Sequence, residues 1–525
     1  MPASIQAPSA APSHALVRPG APAVALVNLL TSRGLQLVLV WYLTGRQAVE
    51  SLRRDHPRDG YSATAPVSLD GEKGVTMSSI TMHGASAINL SDPAFWEGSR
   101  EQRWDAFEAL RRELPVAWQP PPVAWSPREY SPPRGYWAIT RHDDVKAVSR
   151  DSQTFASGPG IMVFDNLPPD LERLYDGILA IDGTRHSQLR RLVANAFTPK
   201  MARSLQDWIE GQVRHTITQV SGQGECDFVD LVSPFPVNVI CDMLGVPGPD
   251  RPELRRLMRL GTHIGADAPA DDSIQACSAA VSYLVELART RRNQPGEDLA
   301  SALVHSEVEG AQLSDDDIGS VCWVILTGGS EPTAMTATHA MLALARNRAD
   351  RLRLQADYDS LANRAVEEML RWGTPVIEFR RTATCDTQIA GQPIAAGDNV
   401  VLFYSSANQD ETIFDNPRRF DVSRDPNPHL AFGGGGLHFC LGAALARMEL
   451  KSFFCELFRQ LPDFDASGSP LYTTSPLLDE IASLPCSFTP VKYQSNERGL
   501  VIADTPAGGG SHRRRPHSMR RSRDV

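Results

Sequence analysis

The sequence predicts a mainly α-helical protein with small β-sheets at its edges. Large apolar residues near the start of the folded chain recur at helical spacing and predict an amphipathic helix: Trp104, Phe107, Leu110 and Leu114. The pattern stays mostly helical from about residue 140 to residue 370. Residues 389–403 instead alternate strand-like runs with turns, which indicates a small β region.

Length and composition separate a central folded domain from two unusual ends. The chain has 525 residues, of which 42% are apolar, so it can bury a large core in one or two domains. We expect the folded domain over residues 77–490. Residues 1–76, rich in Ala, Pro and Ser, are interpreted as a non-native or disordered extension, with translation starting at Met77 or Met82. Residues 491–525 are predicted to be a disordered basic tail.

The N-terminal extension contains an apolar run from Val24 to Leu43, for which a membrane anchor is the alternative interpretation. Asn28, Arg33 and Gln36 interrupt this run. A central arginine costs about 2.5–3.5 kcal/mol in a membrane segment. We therefore expect no membrane insertion.

Charge and cysteine content limit the possible classes of function. The net charge is −10, which disfavours a general nucleic-acid-binding role. Residues 513–525 carry six arginines and one aspartate, or +5, which leaves −15 (−10 − 5) on the remainder. The eight cysteines show no paired spacing. This scatter favours a reducing compartment, and hence the cytoplasm, over a disulfide framework.

Two short strands and a basic helix are predicted next along the chain. The strands, Val116–Trp118 and Tyr136–Thr140, flank a proline-rich segment that reads as a surface loop. Residues 182–197 predict a helix on which His186 and Arg190, four residues apart, share one face. A solvated charged face is the alternative for this pair.

A long helix is predicted to begin at Ser314, because residues 314–317 resemble a helix-capping motif. Its middle contains Pro332. A proline inside a helix removes one amide donor and clashes with the carbonyl four residues back, at a cost of about 3 kcal/mol or more. That carbonyl belongs to Gly328, so a widened groove is expected here, with a merely kinked core helix as the alternative.

The strongest chemical signal lies in residues 432–447, where four consecutive glycines lead to Cys440 and a helix-forming run follows. Glycines let backbone amides approach a sulfur closely. A helix that begins beyond the cysteine places its positive end near the anion. The sequence therefore predicts a thiolate held against a metal, with a thiol pKa below its usual value of about 8.5. A buried structural cysteine is the alternative.

Phe432, His438 and Gly442 around Cys440 resemble the haem-binding loop of the cytochrome P450 superfamily. Phe432 stands one residue farther from the cysteine than usual, which resembles actinobacterial members that act on steroids and branched lipids. The resemblance covers about residues 90–490. It implies the cytochrome P450 fold, with haem b held between the long central helix and the cysteine loop. It also implies a monooxygenase that inserts one oxygen atom from O2 into a hydrophobic small molecule, such as a steroid, a branched lipid or a secondary metabolite.

The same resemblance assigns roles to individual residues. Cys440 is the expected axial ligand of the iron. The residues expected to contact the haem or its propionates are His186, Arg190, Arg381, Phe432, Gly433, His438 and Gly442. Glu368, Arg371 and Arg419 are expected to form a structural cluster of buried charges. The residues expected to line the substrate pocket are Phe164, Val324, Gly328, Thr374 and Val376.

The central helix departs from the family pattern at Pro332, which stands where the family has the threonine that assists oxygen activation. A proline cannot donate a proton, and Thr333 is rotated by about 100° around the helix axis. We therefore expect protons to arrive through Glu331, Thr333 or a substrate hydroxyl with ordered water. Two alternatives stay open: a haem-thiolate enzyme with peroxide-driven or oxidative-coupling chemistry, and a catalytically silent haem- or ligand-binding protein.

The expected partners follow from the resemblance and from the motifs that the chain lacks. No flavin- or nicotinamide-binding fingerprint follows a predicted strand in the sequence. Electrons are therefore expected from a separate ferredoxin and its reductase. Arg447 and Lys451, four residues apart, could meet an acidic ferredoxin or be ordinary solvated charges. We expect a monomer that binds neither nucleic acid nor a membrane.

Overall fold

The computed structural model describes residues 84–123, 134–158, 160–162, 177–197, 203, 205–262, 270–491, 493–496 and 499–502. Within these residues the protein is mainly α-helical with small sheets, as predicted. Several segments interpreted from the sequence lie outside the described residues: the extension 1–76 with its apolar run, Phe164, and the arginine-rich residues 513–525.

The helices provide most of the described structure. The α-helices are α1 Pro93–Glu97, α2 Arg100–Glu113, α3 His142–Arg150, α4 Gly183–Ala194, α5 Gln206–Val220, α6 Phe228–Val232, α7 Pro234–Leu244, α8 Arg251–Thr262, α9 Ala270–Asn293, α10 Leu299–Val304, α11 Asp315–Arg346, α12 Arg348–Ala356, α13 Tyr358–Gly373, α14 Tyr404–Ala407 and α15 Ala443–Gln460. None of these helices has both the length and the apolar composition needed to cross a bilayer.

The first amphipathic helix forms where the spacing predicts it. A capping box starts α2, because the Ser99 hydroxyl accepts from the Gln102 amide (3.2 Å) while the Ser99 amide donates to the Gln102 side chain (2.8 Å). Trp104, Phe107 and Leu110 are buried. Leu114, the fourth residue of the predicted stripe, lies past the end of α2 and is 38% exposed.

A five-stranded sheet forms the largest β region. The strands are β1 Val116–Gln119, β2 Tyr136–Ile139, β3 Phe155–Ala156, β4 Glu225–Asp227, β5 Glu307–Val308, β6 Ala311–Gln312, β7 Glu378–Ala383, β8 Thr387–Ile389, β9 Gln392–Ile394, β10 Asn399–Phe403, β11 Asp465–Ala466, β12 Leu471–Tyr472, β13 Ile481–Ser483, β14 Pro485–Ser487, β15 Tyr493–Asn496 and β16 Gly499–Ile502. The order in the sheet is β1-β2-β10-β7-β3, with only the β2–β10 pair parallel. A three-stranded sheet has the order β11-β14-β4, and the remaining sheets are pairs of consecutive strands; among these, β15 and β16 form a hairpin within the segment predicted to be a tail.

The long helix α11 runs through the middle of the core. Its start is capped as predicted, because the Ser314 hydroxyl accepts from the Asp317 amide at 3.0 Å. The helix has 32 residues, or about 48 Å, and it continues through Pro332. It packs against α7, α9 and α13. Residues from both halves of α11 are buried, so the middle of this helix lies inside the core.

A buried charge cluster on α13 fixes the segment that leads to the cysteine loop. Glu368 and Arg371 are fully buried and form a two-pronged ion pair at 2.7 and 2.8 Å. The second cation on Glu368 is Arg424, whose Nε donates at 3.0 Å. Arg419, predicted for that role, instead provides a carbonyl oxygen that accepts from Arg371 (3.3 Å). The prediction was wrong because Arg424 lies only five residues later and motif spacing did not distinguish the two.

Candidate active site

A cavity is lined by the middle of α11 and by the cysteine loop, and it holds about 1560 Å³ of empty space when its solvent-open side is included. All residues that were predicted to hold the cofactor line it: His186, Arg190, Arg381, Phe432, Gly433, His438, Cys440 and Gly442.

Cys440 sits where the loop closes and α15 begins. Its amide donates to the carbonyl oxygen of Phe432 (3.0 Å), and α15 starts at Ala443. Burial raises the pKa of the Cys440 thiol, although the amides of Gly442 and Ala443 and the charge of Arg190 act to lower it. The predicted net lowering was therefore wrong, because lost solvation outweighs these contributions. A buried thiol of this kind becomes a thiolate when a metal ion binds the sulfur.

The glycine run 433–436 packs against the end of α3. Gly435 and Gly436 have φ angles of +99° and +81°, a backbone conformation that residues with a side chain rarely adopt. A Cβ on Gly434 would lie 2.7 Å from the Cβ of Ser149, and one on Gly436 would lie 2.6 Å from the Ser149 carbonyl oxygen. The sequence predicted that these glycines bring amides to the sulfur. Their close packing against α3 is what requires them instead.

Four side chains that can carry positive charge meet at the cavity. His186 and Arg190 come from α4, Arg381 from β7 and His438 from the cysteine loop. The two imidazole rings lie 4.3 Å apart between centroids. Nδ1 of His186 and Nε2 of His438 are buried without a hydrogen-bond partner. Burial, followed by the charges of His438 and Arg190, lowers the pKa of His186 to about 4.

These features fit a haem. The two orphaned imidazole nitrogens and the two arginines can satisfy a pair of carboxylates, for which the arginine fork is well suited. Within the described part of the chain, no group of three or more His, Cys, Asp or Glu side chains could hold a metal ion. A metal at Cys440 must therefore bring its other ligands with it, as porphyrin-bound iron does. When bound, thiolate-ligated haem supplies the iron at which dioxygen is activated.

The α11 side of the cavity carries two of the three residues that were predicted to assist oxygen chemistry, Pro332 and Thr333. Gly328, Pro332, Thr333 and Thr336 line it. The Thr333 hydroxyl donates to the carbonyl oxygen of Gly329 (3.3 Å), and the Thr336 hydroxyl donates to that of Pro332 (2.8 Å). Thr333 therefore lines the cavity, and its hydroxyl would have to turn away from the Gly329 carbonyl to pass on a proton.

Glu331 does not belong to the cavity wall. Its Oε1 accepts from the hydroxyl of Thr262, the last residue of α8, at 2.8 Å. The geometry therefore gives no support to direct proton transfer from Glu331 into the cavity. Of the two candidate proton donors on the helix, Thr333 is the one that reaches it.

The predicted substrate-pocket residues divide into two groups. Val324, Gly328 and Val376 line the cavity. Thr374 does not, because its hydroxyl donates to the Arg371 carbonyl oxygen (2.6 Å) and accepts from Asn408 (2.9 Å). Thr374 thus links α13 to the segment before the cysteine loop, and its assignment to the pocket was wrong.

Several apolar wall residues were missed from the sequence: Ile161, Ile178, Leu179, Ile240, Pro375 and Phe379. Most of them come from loops or helix ends without a motif. Phe379 did carry a signal, because it lies two residues before Arg381 on β7 and alternate residues of a strand share a face.

The comparisons with known proteins agree with this geometry. The family model for Cytochrome P450 matches residues 270–464. The methyl-branched lipid omega-hydroxylase of Mycobacterium tuberculosis is 37% identical over 412 residues, which cover 77% of this chain and 95% of that protein. The steroid C26-monooxygenase of Mycolicibacterium smegmatis is 35% identical over 365 residues, covering 68% and 84% respectively.

A solved structure gives the same result. Mycobacterium marinum cytochrome P450 CYP268A2 in complex with pseudoionone has 40% sequence identity and a TM-score of 0.73, covering 77% of this chain and 98% of that chain. A helical fold in which the cysteine loop and a long helix line one cavity is typical of a haem-thiolate protein. The chain belongs to the cytochrome P450 family. It is an oxidoreductase that incorporates molecular oxygen, with haem as its cofactor.

Proposed function

We propose that this protein is a haem b monooxygenase that hydroxylates a hydrophobic lipid of the methyl-branched or steroidal type. The observation that carries the proposal is the apolar wall that shares one cavity with Cys440: Ile161, Ile178, Leu179, Val324, Val376 and Phe379. The names of the relatives from M. tuberculosis and M. smegmatis support the substrate class. The substrate, O2, two electrons and two protons would give the alcohol and one molecule of water.

The polar groups of the cavity favour a substrate held mainly by its hydrocarbon surface. The α11 side contributes two hydroxyls, those of Thr333 and Thr336, and both already donate to helix carbonyls. A hydroxyl has one proton to donate, so neither is free to orient a polar substrate as a donor. Apolar contact is non-directional and suits a flexible branched chain.

Non-covalently bound haem b is the form that the residues support. Covalent c-type attachment uses a Cys-x-x-Cys-His motif, and this sequence contains none. His186, Arg190, Arg381 and His438 would hold the carboxylates of the propionates, and Cys440 would hold the iron. A cytoplasmic location is supported by all eight cysteines being unpaired, and a monomeric state remains our expectation.

A separate ferredoxin and reductase are the proposed electron donors. Arg447, suggested as a docking residue, is already paired, because it donates to both carboxylate oxygens of Glu367 (2.6 and 3.0 Å). Lys451 donates to the Asn363 side chain (3.0 Å). A better-supported docking surface is centred on Leu437 and Phe439, which are 37% and 39% exposed on the cysteine loop.

Two exposed cations belong to segments that contact the cysteine loop. Arg150 donates to the Gly434 carbonyl oxygen (3.1 Å), and Arg191 follows Arg190, which donates to the Phe439 carbonyl oxygen. An apolar centre with a basic rim suits an acidic protein that binds transiently. Arg150 and Arg191 therefore replace Arg447 and Lys451 as the proposed contacts.

The function is tested with the full chain, a ferredoxin and its reductase, branched lipids and ¹⁸O2. We expect a hydroxylated product that contains one labelled oxygen per molecule. Unlabelled product would support the oxidative-coupling or peroxide-driven alternative. Ligand binding that changes the haem spectrum without any electron-dependent product would support the silent binding protein.

Proton delivery through Thr333 is tested in the same assay by counting product formed per electron consumed. Thr333→Val should lower this ratio several-fold, because the variant keeps the side-chain shape but removes the hydroxyl that lines the cavity. Thr336→Val is the matched control, since its hydroxyl also lines the cavity one turn away. Equal coupling in the parent and in Thr333→Val would remove Thr333 from the proposal and leave a substrate hydroxyl with water as the route.

A further inference from the structure

We propose that the main-chain carbonyl of Gly328 binds a neutral hydroxyl group of the substrate, so that the protein acts on a lipid that already carries an alcohol. The site rests on the proposed function and narrows its substrate class. It is built from Gly328, Pro332 and the cavity that both of them line.

The Gly328 carbonyl lacks the donor that an α-helix normally supplies. The helix α11 is continuous from Asp315 to Arg346, and in an α-helix the amide of residue i+4 donates to the carbonyl of residue i. For Gly328 that residue is Pro332, which has no amide hydrogen. The oxygen therefore receives no hydrogen bond from the residue four positions later, and that acceptor position is open to another donor.

Two neighbouring carbonyls, unlike that of Gly328, accept hydrogen bonds from threonine hydroxyls. Thr333 donates back to Gly329 (3.3 Å) and Thr336 donates back to Pro332 (2.8 Å), in the i to i−4 pattern that threonine favours in helices. A threonine at position 332 would serve Gly328 in the same way. Because the side chain at 332 is a proline ring, Gly328 loses this hydroxyl donor together with the amide.

The carbonyl is accessible from the cavity. Gly328 and Pro332 are one turn apart and both line the wall, so the oxygen between them lies on the cavity face of α11. A Cβ built on Gly328 would meet nothing within 4 Å, so the space beside this residue is open. A buried carbonyl without a partner is costly, which favours a ligand that can donate to it.

The charged residues of the cavity wall indicate which kind of hydrogen-bond donor can bind the Gly328 carbonyl. No Asp or Glu side chain belongs to the described wall of the cavity, whereas Arg190, Arg381 and two histidines do. A protonated amine would be buried there without a counter-charge, at a much greater cost than a hydroxyl. A neutral alcohol supplies the required proton and matches the apolar walls through its hydrocarbon chain.

The test compares three ligands that share one branched skeleton: pristane, its alcohol pristanol, and the methyl ether of pristanol. Binding to the haem-loaded full chain is measured by calorimetry. We expect pristanol to bind about fivefold more tightly than either of the others, which is the net value of one hydrogen bond. The ether controls for oxygen content, because it can accept a hydrogen bond but not donate one.

Two variants separate the carbonyl from other causes, with haem content and melting temperature recorded for each. Pro332→Thr restores the amide hydrogen and adds a hydroxyl that can donate back to Gly328, so both lone pairs are taken and the preference for pristanol should fall to about onefold. Val324→Ala widens the same wall one turn earlier and should weaken all three ligands while keeping the preference. A preference that persists in Pro332→Thr, or its absence from the parent, would overturn the carbonyl site.

Failure of the carbonyl site and failure of the proposed function give different results. Equal affinities for the three ligands, with labelled product still formed from them, would overturn only the hydroxyl site. Absence of binding by all three would overturn the lipid substrate class and the hydroxyl site together.

Discussion

The two walls of the cavity are held in place in different ways. The cysteine side is fixed by directional contacts, including the buried ion pair of Glu368 with Arg371 and the tight fit of the glycine run against Ser149. The α11 side presents mainly apolar groups, and its threonine hydroxyls bond within their own helix. The side that holds the cofactor is therefore the more constrained one.

The departure from the family pattern at Pro332 lies on the less constrained side. A residue change on the cysteine side disturbs several hydrogen bonds at once, whereas Pro332 changes one helix position beside an open cavity. The cysteine side supplies chemistry that is shared by the family. The proposed proton route and hydroxyl site both lie on the α11 side.

The largest effect is expected from Glu368→Ala. This carboxylate accepts hydrogen bonds from the side chains of Arg371, Arg424 and Asn427. Removing it leaves buried cations unpaired, which should cost about 3–5 kcal/mol and release haem. Haem content and urea unfolding measure the loss.

Glu286→Ala is the control at an exposed ion pair. Glu286 pairs with Arg289 on α9 (3.2 Å), where both side chains are more than half exposed, so its loss should cost at most about 1 kcal/mol. Equal effects of the two substitutions would contradict the view that buried polar contacts define the cysteine side.

A smaller effect is expected from Gly436→Ala. Alanine at a φ of +81° is strained, and its Cβ would lie 2.6 Å from a backbone oxygen of α3. We expect a loss of about 2–3 kcal/mol, measured by urea unfolding. Gly391→Ala has nearly the same φ (+83°) but nothing within 4 Å, so it should cost only about 1–2 kcal/mol of backbone strain. If the two variants were equally stable, close packing of the glycine run would not be what fixes the loop.

The smallest effect concerns pH and a buried histidine on α11 outside the cavity wall. His339 Nε2 lies 2.7 Å from the Asp479 carbonyl oxygen and Nδ1 lies 3.4 Å from Arg100, an arrangement that suits the neutral ring. Burial, followed by the charge of Arg100, lowers the pKa of His339 to about 4. In the unfolded chain this histidine has a pKa of about 6.5, so between about pH 6.5 and about pH 4 it is protonated in the unfolded chain but neutral in the folded protein. Stability is therefore lost as the pH falls from about 6.5 towards 4.

His339→Gln keeps one donor and one acceptor without titrating. Between about pH 7.5 and about pH 5.5 the parent should lose about 1 kcal/mol more stability than this variant. Urea unfolding at the two pH values measures the difference. Parallel losses in both proteins would assign the acid sensitivity to other histidines, such as His186 on the cysteine side of the cavity.

The sequence predicted the fold class, the first helix, the strands β1 and β2, the cap of α11 and the residues that surround Cys440. These succeeded because each depends on local spacing or on a dense motif. The errors share a physical cause, which is that long-range contacts decide them. Arg424 replaces Arg419 because the segment between α14 and the cysteine loop folds back on α13, and Glu331 bonds to Thr262 of α8, which lies far away in the chain.

Two further errors concern energetic balance rather than position. The pKa of Cys440 rises because burial outweighs its amide donors, and burial is a tertiary property. Thr374 looked like a pocket residue, yet its hydroxyl is used between α13 and Asn408. A polar side chain that could line a pocket can equally form a hydrogen bond with a backbone group. Only the contacts of the folded protein show which of the two roles it has.

The most direct test of the account is the absorption spectrum of the reduced carbon monoxide adduct of the full chain. We predict the red-shifted Soret band of thiolate-ligated haem in the parent and in Cys455→Ser, which changes an exposed cysteine on α15. Cys440→Ser should lose that band. A Cys440→Ser protein with the parent's spectrum would contradict the assignment of this sulfur as the iron ligand.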